Sequence, residues 1–173
     1  MADNIEELIK KGYEEPDERI EEYFMGLYEK YGDDPRVIYE YASVLDYLGK
    51  EIEAIPLYKR SLEKGLEGVR KDMCLIQLAS SLRVVGELKE SHTILDEVYR
   101  RTKDPASLLF LALTLKDLGM ENKASCMLAS YILGEGKGLI PNYERALKQY
   151  YRDICGELVR VYASSLKGEQ DTR

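Results

Sequence analysis

Three glycines set the frame of this chain: Gly86 lies 37 residues after Gly49, and Gly119 a further 33. Each closes a run of apolar residues at helical spacing and is followed by a second amphipathic run. The first run is Val37–Leu48, then Glu51 to Leu62; the second is Met73–Val85, then Leu88 to Tyr99; the third is Ala106–Leu118, then Asn122 to Leu133. A helix–glycine–helix unit of this size cannot bury its apolar face alone and has to stack on its neighbours. The spacing therefore predicts an all-α chain of stacked helix pairs.

Residues other than the glycines repeat with the same period. An alanine stands seven before each glycine (Ala42, Ala79, Ala112) and a leucine four before it (Leu45, Leu82, Leu115). A small residue follows five after (Ala54, Ser91, Ala124). Antiparallel helices approach closely only where small side chains face each other, and glycine ends a helix in a backbone conformation that other residues adopt with strain. Asp34-Pro35 and Asp104-Pro105 read as helix starts, with aspartate capping the exposed amides and proline at the first helical position.

With this grammar, the segment from Pro35 to Leu133 resembles the tetratricopeptide repeats, whose unit is about 34 residues. The resemblance implies nine helices paired into a right-handed superhelix, one domain over residues 1–173. It divides into a degenerate leading unit (1–34, with Ile5, Leu8, Ile9, Ile20, Phe24 and Leu27 inward), repeats at 35–66, 70–103 and 105–136, and a long C-terminal capping helix at 141–166. A repeat array needs such caps because its end units otherwise expose core. The pattern is also similar to small bacterial tetratricopeptide-repeat proteins of unknown role, which are thought to act as dimers.

The resemblance implies a protein-binding groove lined by the first helix of each pair. Its positions here are Tyr39, Ser43, Asp46 and Tyr47 in the first repeat, and Met73, Ile76, Gln77, Ser80 and Arg83 in the second. In the third they are Ala106, Leu109, Phe110, Leu113 and Lys116. Chaperone-binding members of the superfamily hold a terminal carboxylate with lysine and asparagine. This chain offers Tyr39, Ser43 and Leu109 at such positions, which does not support that activity.

Leu108–Leu115 is apolar on nearly every face, which predicts a helix covered on nearly every side. The final helix carries two stripes, one through Tyr143, Leu147, Tyr150, Ile154, Leu158 and Val161, the other through Tyr151, Cys155, Val159 and Tyr162. One stripe suffices for packing. The second stripe is expected to fold into the groove, meet a second copy of the chain or receive a partner helix. Drawn from both stripes, Tyr150, Tyr151, Ile154, Leu158 and Tyr162 form the expected dimer or cap face, and a symmetric homodimer is the commonest way to bury such a surface. Two readings stay open: a scaffold holding a partner's peptide or helix in the groove, as a homodimer, or a self-contained homodimer whose own last helix fills that groove.

Composition narrows the function further. Thirty-two acidic and 25 basic side chains leave a net charge of −7, which disfavours non-specific nucleic-acid binding and docking on anionic lipid. No run approaches a membrane span, and Met1–Glu7 lacks the apolar stretch of a secretory signal. Cys74, Cys126 and Cys155, an odd number far apart, predict no disulfide framework, small-apolar behaviour and a reducing cytoplasm. Among 14 tyrosines, Tyr41 and Tyr58 are expected in packing, and Tyr39, Tyr47, Tyr150 and Tyr151 at interfaces.

No reactive set emerges, so no enzyme activity, cofactor or metal is expected. His92 is the one histidine and has no ligands at metal spacing. The pairs Glu6-Glu7, Glu14-Glu15 and Glu21-Glu22 read as solvated helix faces rather than convergent acid–base pairs. Gly134, Gly136 and Gly138 read as a flexible turn, lacking the Lys-Ser or Lys-Thr of a phosphate loop.

Overall fold

The computed structural model describes residues 4–135, 139 and 142–156. Nine α-helices occur among them: α1 (Ile5–Gly12), α2 (Asp17–Tyr31), α3 (Pro35–Tyr47), α4 (Glu51–Glu63), α5 (Gly68–Val84), α6 (Leu88–Thr102), α7 (Pro105–Asp117), α8 (Glu121–Ser130) and α9 (Glu144–Cys155). A π-helical turn, Tyr131–Glu135, extends α8. The chain divides into two compact units, Met1–Ile94 and Leu95–Arg173.

The three framing glycines do the same work. Gly49, Gly86 and Gly119 take φ of 74°, 89° and 74°, and the amide after each turns back to a leucine carbonyl five residues earlier. These bonds run from Lys50 N to Leu45 O at 2.9 Å, from Glu87 N to Leu82 O at 2.8 Å and from Met120 N to Leu115 O at 2.8 Å. A left-handed glycine with this return bond is the closure that satisfies the last carbonyls of a helix. The leucines of the repeat thus serve twice, as buried core side chains and as acceptors for the turn.

The starts match the sequence as well. The Asp34 carboxylate accepts from Arg36 N at 2.9 Å and the Asp104 carboxylate from Ser107 N at 2.8 Å, with a proline at the head of each helix. Caps of this kind are worth about 1 kcal/mol each. All six small positions (Ala42, Ala54, Ala79, Ser91, Ala112 and Ala124) are buried.

In the unit Met1–Ile94, the core of α3, α4 and α5 gathers Tyr39, Leu45, Tyr58, Leu78 and Leu82 with Ala42 and Ala54. A second core sets Ile9, Ile20, Phe24 and Leu27 against Val37 and Val44. The leading residues thus pack as the sequence implies, with α1 crossing α2 so closely that a methyl group on Gly12 would lie 2.6 Å from the Phe24 ring. In the unit Leu95–Arg173, α7 packs on α8, and α9 on α8 and the π-helical turn.

Two expectations are corrected here. Cys126 and Cys155 form a disulfide between α8 and α9, so they are not simply small apolar residues, and the cysteine argument for a reducing compartment loses its basis. The odd count concealed a pair because the partners lie 29 residues apart and meet only when α9 folds back on α8. Cys74 does behave as a small apolar residue, free and buried, with its thiol pushed up to about 12 by burial. The second correction concerns α7, which is not covered on every side: Leu109 is 58% and Leu113 44% exposed.

Of the glycine turn, Gly134 belongs to the π-helical turn, and 136 and 138 lie outside the described residues. Residues 157–166 of the expected final helix and the 167–173 tail also lie outside them.

Candidate functional site

The candidate surface is the face of the first helices, taken unit by unit. On α3 and α5, Ser43, Ile76, Gln77, Ser80 and Arg83 are half-buried. Gln77 Nε2 donates to Ser43 Oγ at 3.2 Å, tying the two first helices together, while Gln77 Oε1 is buried with no hydrogen-bond partner among the described residues. Met73 is exposed, adding an apolar side chain to this face.

Asp46 faces inward enough to accept the Tyr58 hydroxyl at 3.1 Å. Burial raises its carboxyl above the ordinary aspartate value, and hydrogen bonds from Ser81 and Tyr58 oppose the rise. Tyr47 is 69% exposed and reaches back to Asp17 of α2 at 3.5 Å. Tyr39 does not line this surface. It is 3% exposed, with its ring 6.2 Å from that of Tyr58, so it belongs to the packing between α3 and α4. The periodicity of α3 allowed either placement, and the neighbouring Tyr58 decided it.

The N-terminal half of α3 holds a polar network that no sequence motif marked. Glu40, a buried carboxylate on α3, accepts the Tyr13 hydroxyl at 2.6 Å and Arg70 Nε at 3.1 Å. Arg70 then grips Glu6 of α1 with both terminal nitrogens, at 2.9 and 2.8 Å, and Arg36 joins Glu6 to Asp34. Hydrogen bonding to Arg70, the largest influence, holds the Glu6 carboxyl below the usual glutamate range. Glu6 is therefore not merely solvated, as its pairing with Glu7 suggested. Its role is to bind α1 to α3 and α5. An open depression of about 480 Å³ beside the network is lined by Pro35, Arg36, Leu66, Glu67, Val69 and Arg70.

On α7, Leu109 and Leu113 stand one turn apart on the exposed side, with Lys116 exposed one turn further on and Phe110 half-buried. On α9, Tyr150 is 63% exposed and Tyr151 half-buried. The Ile154 side chain, Leu158 and Tyr162 lie outside the described residues.

No group of three or more potential metal ligands occurs among the described residues, and His92 sits half-buried on α6. Of the acidic pairs, Glu15 bridges to Arg19 and Glu21 to Lys50. No helix among the described residues is long and apolar enough to cross a membrane.

Helix pairs closed by left-handed glycines, with small residues between them and partly apolar first helices, define a helical-repeat scaffold for protein–protein interaction. A family model described as Tetratrico peptide repeat matches residues 35–154, and the chain belongs to that family. The match reaches into α9, so the family pattern includes most of the described part of the helix that the glycine period left outside the repeats. No curated protein and no solved structure matches the chain.

Proposed function

We propose that this chain, acting as a single repeat domain, holds a peptide or helix of a partner protein on its first-helix face and associates as a homodimer. The observation that carries the reading is the exposed pair Leu109 and Leu113 on α7. Large apolar side chains one turn apart, beside an exposed lysine, match the spacing at which an amphipathic helix or an extended peptide inserts its own apolar residues. Taken by itself, the other unit carries similar chemistry on its first helices, with Met73 and Tyr47 exposed and Ile76 half-buried.

The alternative, a homodimer whose groove is filled by its own last helix, has less support. The described part of α9 packs on α8 and the π-helical turn, and it leaves Leu109 and Leu113 exposed. Tyr143 and Tyr150, exposed on α9, remain available for a contact between copies.

The test is a pair of variants, Leu113→Glu and Leu109→Glu, compared with the parent by light scattering over a range of concentrations and by binding to an arrayed peptide library. Both variants are expected to melt close to the parent, since exposed substitutions shift stability by about 0.5 kcal/mol or less. Peptide binding is expected to fall by at least tenfold, the scale of about 1.4 kcal/mol for a lost apolar anchor. Unchanged binding and mass in both variants would remove α7 from the interface.

A further inference from the structure

We propose that the Cys126–Cys155 disulfide is a thiol–disulfide exchange site that latches α9 onto α8, and that a dithiol reductant releases the helix. This reading stands apart from peptide binding and rests on how little else among the described residues holds α9. Among its described side chains only Cys155 is buried, while Glu144, Leu147 and Tyr151 are half-buried. Tyr143, which caps it, and Arg145, Lys148, Tyr150 and Arg152 are all exposed. Among the described residues, the polar bonds of α9 run along itself, Lys148 to Glu144 and Gln149 to Asp153. An isolated helix of 12 residues is marginal in water, so tertiary attachment decides whether this one stays formed.

The cystine supplies that attachment at the last turn of α9, where Gly156 follows with a φ of 48°. Both sulfurs are buried, so exchange requires the end of α9 to open first, and its thin packing makes that opening inexpensive. In the exchange, a thiolate of the dithiol attacks one cystine sulfur and forms a mixed disulfide, and the other cysteine leaves as a thiolate. The second thiol of the reductant then displaces the remaining cysteine. Two electrons pass to the protein, both cysteines end as thiols after taking up protons, and the reductant leaves as its own disulfide. With the bond gone, the half-buried Leu147 and Tyr151 are the apolar ties left among the described side chains, and α9 departs from α8 and the π-helical turn.

The test is amide hydrogen exchange on the full chain, air-oxidised and then reduced with dithiothreitol, with intact mass counting free thiols in each state. The expected result is one free thiol before reduction and three after, with protection in α9 falling by about tenfold or more while α3 and α4 keep theirs. Cys155→Ala is expected to show the released pattern without reductant. The proposal is overturned if the oxidised chain has three free thiols, if α9 exchanges alike in both states, or if reduction strips protection from α3 and α4 together with α9. Should Cys155→Ala fail to fold, the reduced parent chain decides the matter alone.

Discussion

The hydroxyl of Tyr13 donates to Glu40 Oε2 at 2.6 Å across 27 residues of sequence. That bond joins the segment after α1 to the buried side of α3, where Glu40 also takes Arg70 Nε. A buried carboxylate is tolerated only when its oxygens are satisfied, so each donor matters more than an exposed ion pair would. Burial, with the adjoining Glu40 carboxylate, pushes the Tyr13 phenol well above its ordinary value, leaving it a donor throughout the accessible pH range.

Tyr13→Phe removes this donor and little else. A loss of about 1 kcal/mol is expected, since Arg70 continues to hold Glu40. Tyr47→Phe is the matched control, because its bond to Asp17 is long and exposed, and its effect should be near zero. Urea unfolding of the two variants beside the parent distinguishes them; equal losses would show that the Glu40 bond has no special weight.

Ala42 is fully buried in the core shared by α3 and α4, at the position where the repeat calls for a small side chain. Ala42→Leu should cost about 1 to 3 kcal/mol through overpacking, whereas Ala106→Leu on the exposed start of α7 should cost about 0.5 kcal/mol or less. Thermal melts of both variants are the measurement, and a well-tolerated leucine at 42 would show that the two helices can move apart.

Asp46 gives a pH dependence whose sign is opposite to that of a salt-bridged carboxylate. Its carboxyl is raised in the folded chain, chiefly by burial, so folding favours the protonated form. The stability this contributes is present below the ordinary aspartate range and is lost as pH rises through the folded value. Asp46→Asn removes the dependence. The variant's urea midpoint, compared with that of the parent, should therefore be more favourable at pH 7 than at pH 4. If the difference between the two chains does not change with pH, the carboxylate is better solvated than its position beside Tyr58 implies.

Several layers of this protein could be read without coordinates. The glycine period located the helix ends because a left-handed residue is needed wherever a helix must stop and reverse, and glycine takes that conformation at least cost. The small positions followed from the geometry of close helix pairs, and both aspartate–proline starts carry the cap they promised. These are local rules, satisfied by residues a few positions apart, so a one-dimensional pattern contains them.

The candidate site was less legible. Tyr39 and Tyr47 look alike in the repeat, yet one lies against Tyr58 and the other is solvent-facing. Glu6 looks like any acidic residue of a first helical turn until Arg70, 64 residues later, closes on it. The apolar run of α7 suggested cover on nearly every side, and two of its leucines are exposed instead.

By itself, then, the sequence determined the helical class, the helix ends, the small residues between paired helices and the membership that the family match bears out. Only the tertiary structure decided which tyrosine is core, which carboxylate is gripped, and that Cys126 meets Cys155. The physical reason is distance along the chain. Helix propensity, capping and turn chemistry act over a few residues and repeat with the period. Polar pairing and cystine formation depend on which remote side chains the packed helices bring within about 3 Å for a hydrogen bond, or within bonding range for two sulfurs.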